Sequence, residues 1–178
     1  FFKKADLTKT ILRDDFDVVF NLASPASPAF FPKIPIEILL TGSVGTCNAL
    51  EIACENNAVF VQASSSEVYG NPSVHPQVEA YFGYVNPVGE RGCYDEAKRY
   101  GETLCVNFAN QFGVPVRVAR PFNNYGPGLK ISDRRVIPDF ARDIVNNRDI
   151  VMLSDGSPRR TFCYVTDAVV GYYKVLVK

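Results

Sequence analysis

Ala63-Ser64-Ser65-Ser66-Glu67-Val68-Tyr69-Gly70 opens the stretch around which the chain is organised, and Tyr94-Asp95-Glu96-Ala97-Lys98 closes it. The run leading into it, Val59-Phe60-Val61-Gln62-Ala63, is short, mostly apolar and rich in β-branched and aromatic residues. It therefore predicts a buried strand that delivers Ser65, Ser66 and Glu67 at its C-terminal end. In a parallel sheet that end is where ligands bind. Tyr94 and Lys98 are four apart at the start of a predicted helix, so their side chains leave one face one turn apart. A phenol beside an ammonium makes a base, because the cation favours the phenolate and draws the tyrosine pKa down from its usual ~10.

Outward from this stretch, strands and helices alternate. Asp17 to Ala23 reads as a parallel-type strand, with Ser24-Pro25-Ala26-Ser27-Pro28 as the loop leaving its end. Asp6 to Asp15 is compatible with a short helix. From Ile36 to Asn56 apolar residues recur near the helical period and predict one long helix, in which Gly42 and Gly45 each cost ~1 kcal/mol relative to alanine. Asn71 to Gly92 is a long proline- and glycine-rich loop, and loops of that length inside a domain are usually functional. His75, the only histidine, sits extended within it and reads as structural. Arg91, just ahead of the helix from Tyr94 to Phe112, is placed to meet a carboxylate or phosphate. Gly113 caps that helix, Val114 to Arg120 is the next strand, and Pro121 to Gly128 is all turn chemistry. A helix over Val136 to Asn147 follows, then strands at Ile150 to Leu153 and Arg159 to Val165, and a last helix with Thr166-Asp167 as its N-cap.

A 178-residue chain that is 47% hydrophobic has enough apolar material for a proper core. Lys plus Arg equals Asp plus Glu at 19 each, so no basic surface advertises nucleic acid or an anionic membrane. No apolar run is expected to approach the ~20 residues of a membrane span. Five cysteines, an odd number without Cys-x-x-Cys spacing, argue against a disulfide framework or a metal site, and imply a reducing, cytoplasmic compartment.

The Tyr-x-x-x-Lys spacing by itself is weak evidence in a chain with nine tyrosines; its context carries it. A strand ending in Ser64-Ser65-Ser66-Glu67, a loop, and Tyr94-x-x-x-Lys98 opening a helix together resemble the extended short-chain dehydrogenase/reductase (NAD-dependent epimerase/dehydratase) family, whose members modify nucleotide sugars. Within it, Ser66-Glu67-Val68-Tyr69-Gly70, His75-Pro76-Gln77, Val85-Asn86-Pro87 and Cys93-Tyr94-Asp95-Glu96-Ala97-Lys98-Arg99 are most similar to the UDP-glucuronate decarboxylases. The resemblance runs along essentially all of the chain.

That resemblance implies an α/β fold: a Rossmann-like, doubly wound, mostly parallel sheet with the start of a smaller substrate-binding region. Residues 1–125 would form part of the NAD-binding domain and 126–178 contribute to the substrate region. The family's Gly-x-x-Gly-x-x-Gly turn would lie before Phe1, so the chain is expected to be part of something longer. The resemblance also implies NAD as cofactor and a nucleotide sugar, most like a UDP-sugar, as substrate. Tyr94, Lys98, Ser65, Ser66 and Glu67 become the catalytic candidates. Leu22, Ala23, Ser24 and Ala63, with Tyr94 and Lys98, become the cofactor wall, although Leu22 and Ala23 read equally well as core. Arg91, Asn123, Arg135 and Arg160 become the substrate contacts.

Two departures stand out. Gly42 replaces the family's usual Asn, and Ser65 its commoner Thr. The helices at 36–56 and 94–112 would pair across a two-fold axis in a homodimer. Dehydratases of the family have Asp-Glu where this chain has Ser66-Glu67, and 4-epimerases usually lack the glutamate, so the pair favours decarboxylation. A 4,6-dehydratase, a 4-epimerase and a non-catalytic sugar-nucleotide binder are the alternatives.

Overall fold

Strands form where the β-branched runs lie. In a computed structural model that describes residues 2–178, β1 (Val18–Asn21), β2 (Val59–Ala63) and β3 (Val116–Ala119) pair in parallel in the order β1-β2-β3, with Val18 opposite Val59 and Phe60 opposite Val116. The central strand is covered on both faces. Phe60 packs with Ala49, Leu50 and Ala53 of the long helix and with Cys105, while Val61, on the other face, is equally buried.

The expected long helix is present as α1 (Pro35–Leu40) and α2 (Thr46–Glu55), joined without a break by a π-helical turn at Thr41–Gly45. Its 21 residues, with a mean hydropathy of 1.2 over the most apolar window, match a membrane span in length and composition, against the expectation that no segment would. Here it serves as a core helix, with Ile38, Ala49, Leu50, Ile52 and Ala53 buried. At Gly42 the π turn presses on α3 (Gly92–Phe112): a Cβ there would lie 2.6 Å from that of Ala97. Helix α3 ends as expected at Gly113, left-handed at φ 73°, whose N–H donates to Ala109.

Four expectations are corrected. Residues 6–15 form only a turn, because Asp6 Oδ1 accepts both the amide and the hydroxyl of Thr8, a local alternative to the helical ladder. The turn-rich segment after Pro121 contains β4 (Asn123–Tyr125), which pairs in parallel with β5 (Phe162–Tyr164) in a second, two-stranded sheet. Ile150 to Leu153 is not a strand. It has no pairing partner among the described residues and is exposed, Leu153 at 95%. After α4 (Val136–Val145), the last helix, α5 (Val165–Val177), starts directly from Tyr164, so Thr166 and Asp167 lie inside its first turn. The boundary expected after residue 125 thus falls just past β4, while β5 and α5 return to β4, β2 and β3.

Candidate active site

Beyond β2 the chain turns through Ser64 and Ser65 into one 3-10 turn, Ser66–Tyr69, where the Ser65 hydroxyl accepts from the Glu67 amide at 3.2 Å. Amides of Ser64 and Ser66 donate to Ala119 and Pro121, fixing the turn to the exit of β3. The first turns of α3 lie against it. Tyr94 and Lys98 are both buried, Lys98 Nζ is 5.6 Å from the Tyr94 ring centroid, and it donates to the Ala63 carbonyl at 2.8 Å. Ser65, Ala63, Tyr94 and Lys98 are therefore brought together as the spacing requires.

Their electrostatics differ from expectation. Burial pushes the Tyr94 phenol above its ordinary value; the nearby Ser65 hydroxyl and Arg135 pull it down, while Glu67 and Asp95 add to the rise. Burial brings Lys98 down to about 8. For Tyr94, desolvation outweighs the Ser65 hydrogen bond and the Arg135 charge, so the protonated phenol is favoured. Asp95, the next residue, is 5% exposed, and its Oδ1 has no hydrogen-bond partner among the described residues. Its carboxyl is pushed up to about 6 by burial and by Glu67, with Arg91 opposing.

Glu67 is gripped by Arg91, Nη2 to Oε2 at 2.5 Å, so the carboxylate that Arg91 meets in the structure is the chain's own. The Arg91 guanidinium also lies 5.4 Å from the centroid of the Phe31 ring, and Phe31 is stacked on Tyr94 with centroids 5.0 Å apart and planes 17° from parallel.

At the open end of β1, Leu22 is 60% exposed, Ala23 is exposed and Ser24 is half-buried, which removes the core reading of Leu22 and Ala23. Ser24, Ser27, Lys130 and Arg135 line a cavity of about 330 Å³ beside it. Arg135 Nε makes a charge contact with Asp133 Oδ2 at 2.7 Å without hydrogen-bond geometry, and Nη2 donates to Ala26 at 3.3 Å. Asn123 and Arg160 are not part of this group. Asn123 lies in β4 and donates to the Thr161 carbonyl, while Arg160 is exposed and donates to Arg159.

The sequence reading missed a supporting network. Glu102 on α3 accepts from the Ser64 hydroxyl at 2.5 Å and from two nitrogens of Arg120, which also reaches the Tyr69 hydroxyl. Phe31 and Asp95 were missed too. None of these carries a local motif, and only Asp95, flanked by Tyr94 and Lys98, was close enough in sequence to invite a question.

The model of the NAD dependent epimerase/dehydratase family matches residues 2–178. The chain is 42% identical over 162 residues to UDP-glucuronic acid decarboxylase 6 of Arabidopsis thaliana, covering 91% of this chain and 47% of that protein. It is 45% identical over 157 residues to UDP-glucuronic acid decarboxylase 1 of Xenopus tropicalis, covering 88% and 37%. Among solved structures it is similar to the UDP-N-acetylglucosamine 4-epimerase of Methanobrevibacter ruminantium in complex with UDP-N-acetylmuramic acid, at a TM-score of 0.82 and 26% identity over 98% of this chain and 55% of that one. The chain spans about half the length of the curated relatives it matches.

Proposed function

The chain belongs to the NAD dependent epimerase/dehydratase family, and from that premise we propose that it carries the catalytic groups of a UDP-glucuronate decarboxylase. Tyr94, as phenolate, takes the proton of the sugar's carbon-4 hydroxyl, and Ser65 hydrogen-bonds the same oxygen. The residues fit a dinucleotide. Lys98 has one carbonyl partner and no carboxylate partner among the described residues, an ammonium with donors to spare for ribose hydroxyls at the open strand ends formed by Leu22, Ala23, Ser24 and Ala63. One chemical service comes from bound NAD, the taking of a hydride at carbon 4 and its return.

With carbon 4 a ketone, the carboxylate on carbon 5 is that of a β-keto acid. Carbon dioxide leaves as the ketone accepts the electron pair as an enolate, and carbon 5 then takes one proton from solvent, the proton that the overall reaction consumes. Tyr94 returns its proton to the carbon-4 oxygen as the alcohol reforms. Water elimination asks for more, an acid and a base at once. The observation that carries decarboxylation is Ser66 beside Glu67: one carboxylate on the turn that faces Tyr94, its charge matched by Arg91.

The test is conversion of UDP-glucuronate to UDP-xylose by the full-length protein with NAD, with carbon dioxide released and no net NADH. A stable 4-keto-6-deoxy sugar from dTDP-glucose overturns it. A 4,6-dehydratase is the second reading, favoured by Asp95, a buried carboxyl under the influence of the half-buried Glu67. The exposed apolar side chains of the 35–55 helix and α3 support a homodimer, and five free cysteines support a cytoplasmic setting.

A further inference from the structure

We propose that Phe31 is a positioning residue for the reaction: its ring is the rigid spacer that fixes the Tyr94 phenol and, through Arg91, the carboxylate of Glu67. This rests on the reading of Tyr94 as the base. Phe31 lies in the irregular connection between β1 and α1, just after a 3-10 turn at Pro28–Phe30, yet it is only 4% exposed. Its neighbours Ile38, Ala97, Ile34 and Cys93 account for that burial as ordinary packing.

Packing does not account for the rest. The near-parallel stack at 5.0 Å restricts the swing of the Tyr94 ring about its Cα–Cβ bond, which sets where its hydroxyl oxygen lies. The Arg91 guanidinium lies over the same aromatic ring, although that side chain is half-exposed and free to seek water. The bond from Arg91 to Glu67 then carries the constraint to the carboxylate. A leucine would fill much of the same space, but has neither a flat face for the phenol nor an electron-rich face for the guanidinium.

The experiment measures kcat and KM against pH in the full-length protein with NAD and UDP-glucuronate, for the parent, Phe31→Leu, Phe31→Tyr and Tyr94→Phe. Phe31→Leu is expected to lower kcat about tenfold, as small misplacements of reacting groups do. It should also move the pH at which kcat is half-maximal, and Phe31→Tyr should restore both. Combined with Arg91→Lys, Phe31→Leu should lose less than the product of the two single losses, because both act through one contact. Phe31→Met replaces the leucine variant if circular dichroism shows that the latter does not fold.

A leucine or methionine variant with the parent's kcat and pH profile, while Tyr94→Phe is inactive, overturns the proposal and leaves the base in place. An active Tyr94→Phe removes the base reading instead. Phe31 is then decided by ultraviolet titration of the Tyr94 phenol, isolated by subtracting the Tyr94→Phe protein. A phenol that titrates alike with Phe31 and with its replacement overturns the proposal.

Discussion

Arg120 grips Glu102 with two hydrogen bonds, Nε to Oε1 at 2.8 Å and Nη2 to Oε2 at 2.6 Å. The same Oε1 accepts the Ser64 hydroxyl, and Arg120 Nη1 reaches Tyr69 Oη at 3.0 Å and the Glu79 carbonyl at 2.9 Å. The turn that carries Ser65, Ser66 and Glu67 is thus held at both ends, by Ser64 and by Tyr69. Glu102→Gln keeps the shape but removes the charge, and is expected to cost about 1–2 kcal/mol of stability. Glu102→Ala leaves a half-buried guanidinium without its partner, and about 3 kcal/mol is expected. Urea denaturation measures both, and turnover should fall in the same order. A glutamine variant as stable as the parent would mean that the charge is irrelevant.

Lys98 illustrates a conflict between fold and chemistry. Burial lowers its pKa from 10.5 to about 8, so between those values the unfolded chain holds the proton more firmly than the folded one. Stability contributed by this group therefore rises with pH across that window, and below it the buried ammonium is a standing cost. Lys98→Met should be inactive yet melt higher than the parent at pH 7, with the advantage shrinking as pH rises through the window. A melting-temperature series in pH checks this, and a constant advantage would place the cause elsewhere.

Gly42→Ala should reverse the usual helix rule. Alanine in a helix interior ordinarily gains about 1 kcal/mol over glycine. Here the added methyl would lie 2.6 Å from Ala97 Cβ on α3, and overpacking of that kind costs about 1–3 kcal/mol. Thermal melting decides, and a more stable variant would show that the two helices can part without loss.

Much of this was legible in sequence because it is local. The runs 18–21, 59–63 and 116–119 are dense in β-branched residues, and the apolar period of the long helix survives two glycines. Ser65, Glu67, Tyr94 and Lys98 form a motif whose spacing sets their geometry. What was misread depends on partners distant in sequence. Asn123–Tyr125 looks like a turn and becomes a strand because β5 supplies its ladder, whereas Ile150–Leu153 has the composition of a strand and, among the described residues, no neighbour to pair with. Phe31, 63 positions before Tyr94, and Glu102, 38 beyond Ser64, have no spacing rule at all. The direction of the Tyr94 shift was misjudged for a related reason: its Lys98 partner was visible in sequence, but the burial of both was not.

The proposed homodimer predicts which apolar positions matter. Leu40, at 44% exposure on the 35–55 helix, and Val106, at 56% on α3, are open in the single chain. Leu40→Glu with Val106→Glu should convert a dimer of the full-length protein to monomer in sedimentation equilibrium. A monomeric parent would remove the assignment.

The last prediction concerns Tyr94→Phe. The change removes one oxygen and leaves the ring to stack on Phe31 and Lys98 bonded to Ala63, so fold and ligand binding should survive. What is lost is the group that takes the carbon-4 proton. Because burial holds the phenol above its ordinary pKa, the phenolate fraction of the parent is small at neutral pH and grows with pH. The parent's kcat should therefore climb on the acid limb, by about tenfold per pH unit where proton transfer limits the rate. The phenylalanine variant should form no NADH in a single turnover at any pH, while calorimetry returns Kd values for NAD and UDP-glucuronate within about threefold of the parent's, as expected when only a transition-state interaction has been removed. Near-normal turnover, or a variant whose rate keeps the parent's acid limb, would transfer the proton step to another group, and Asp95 would be the first to test.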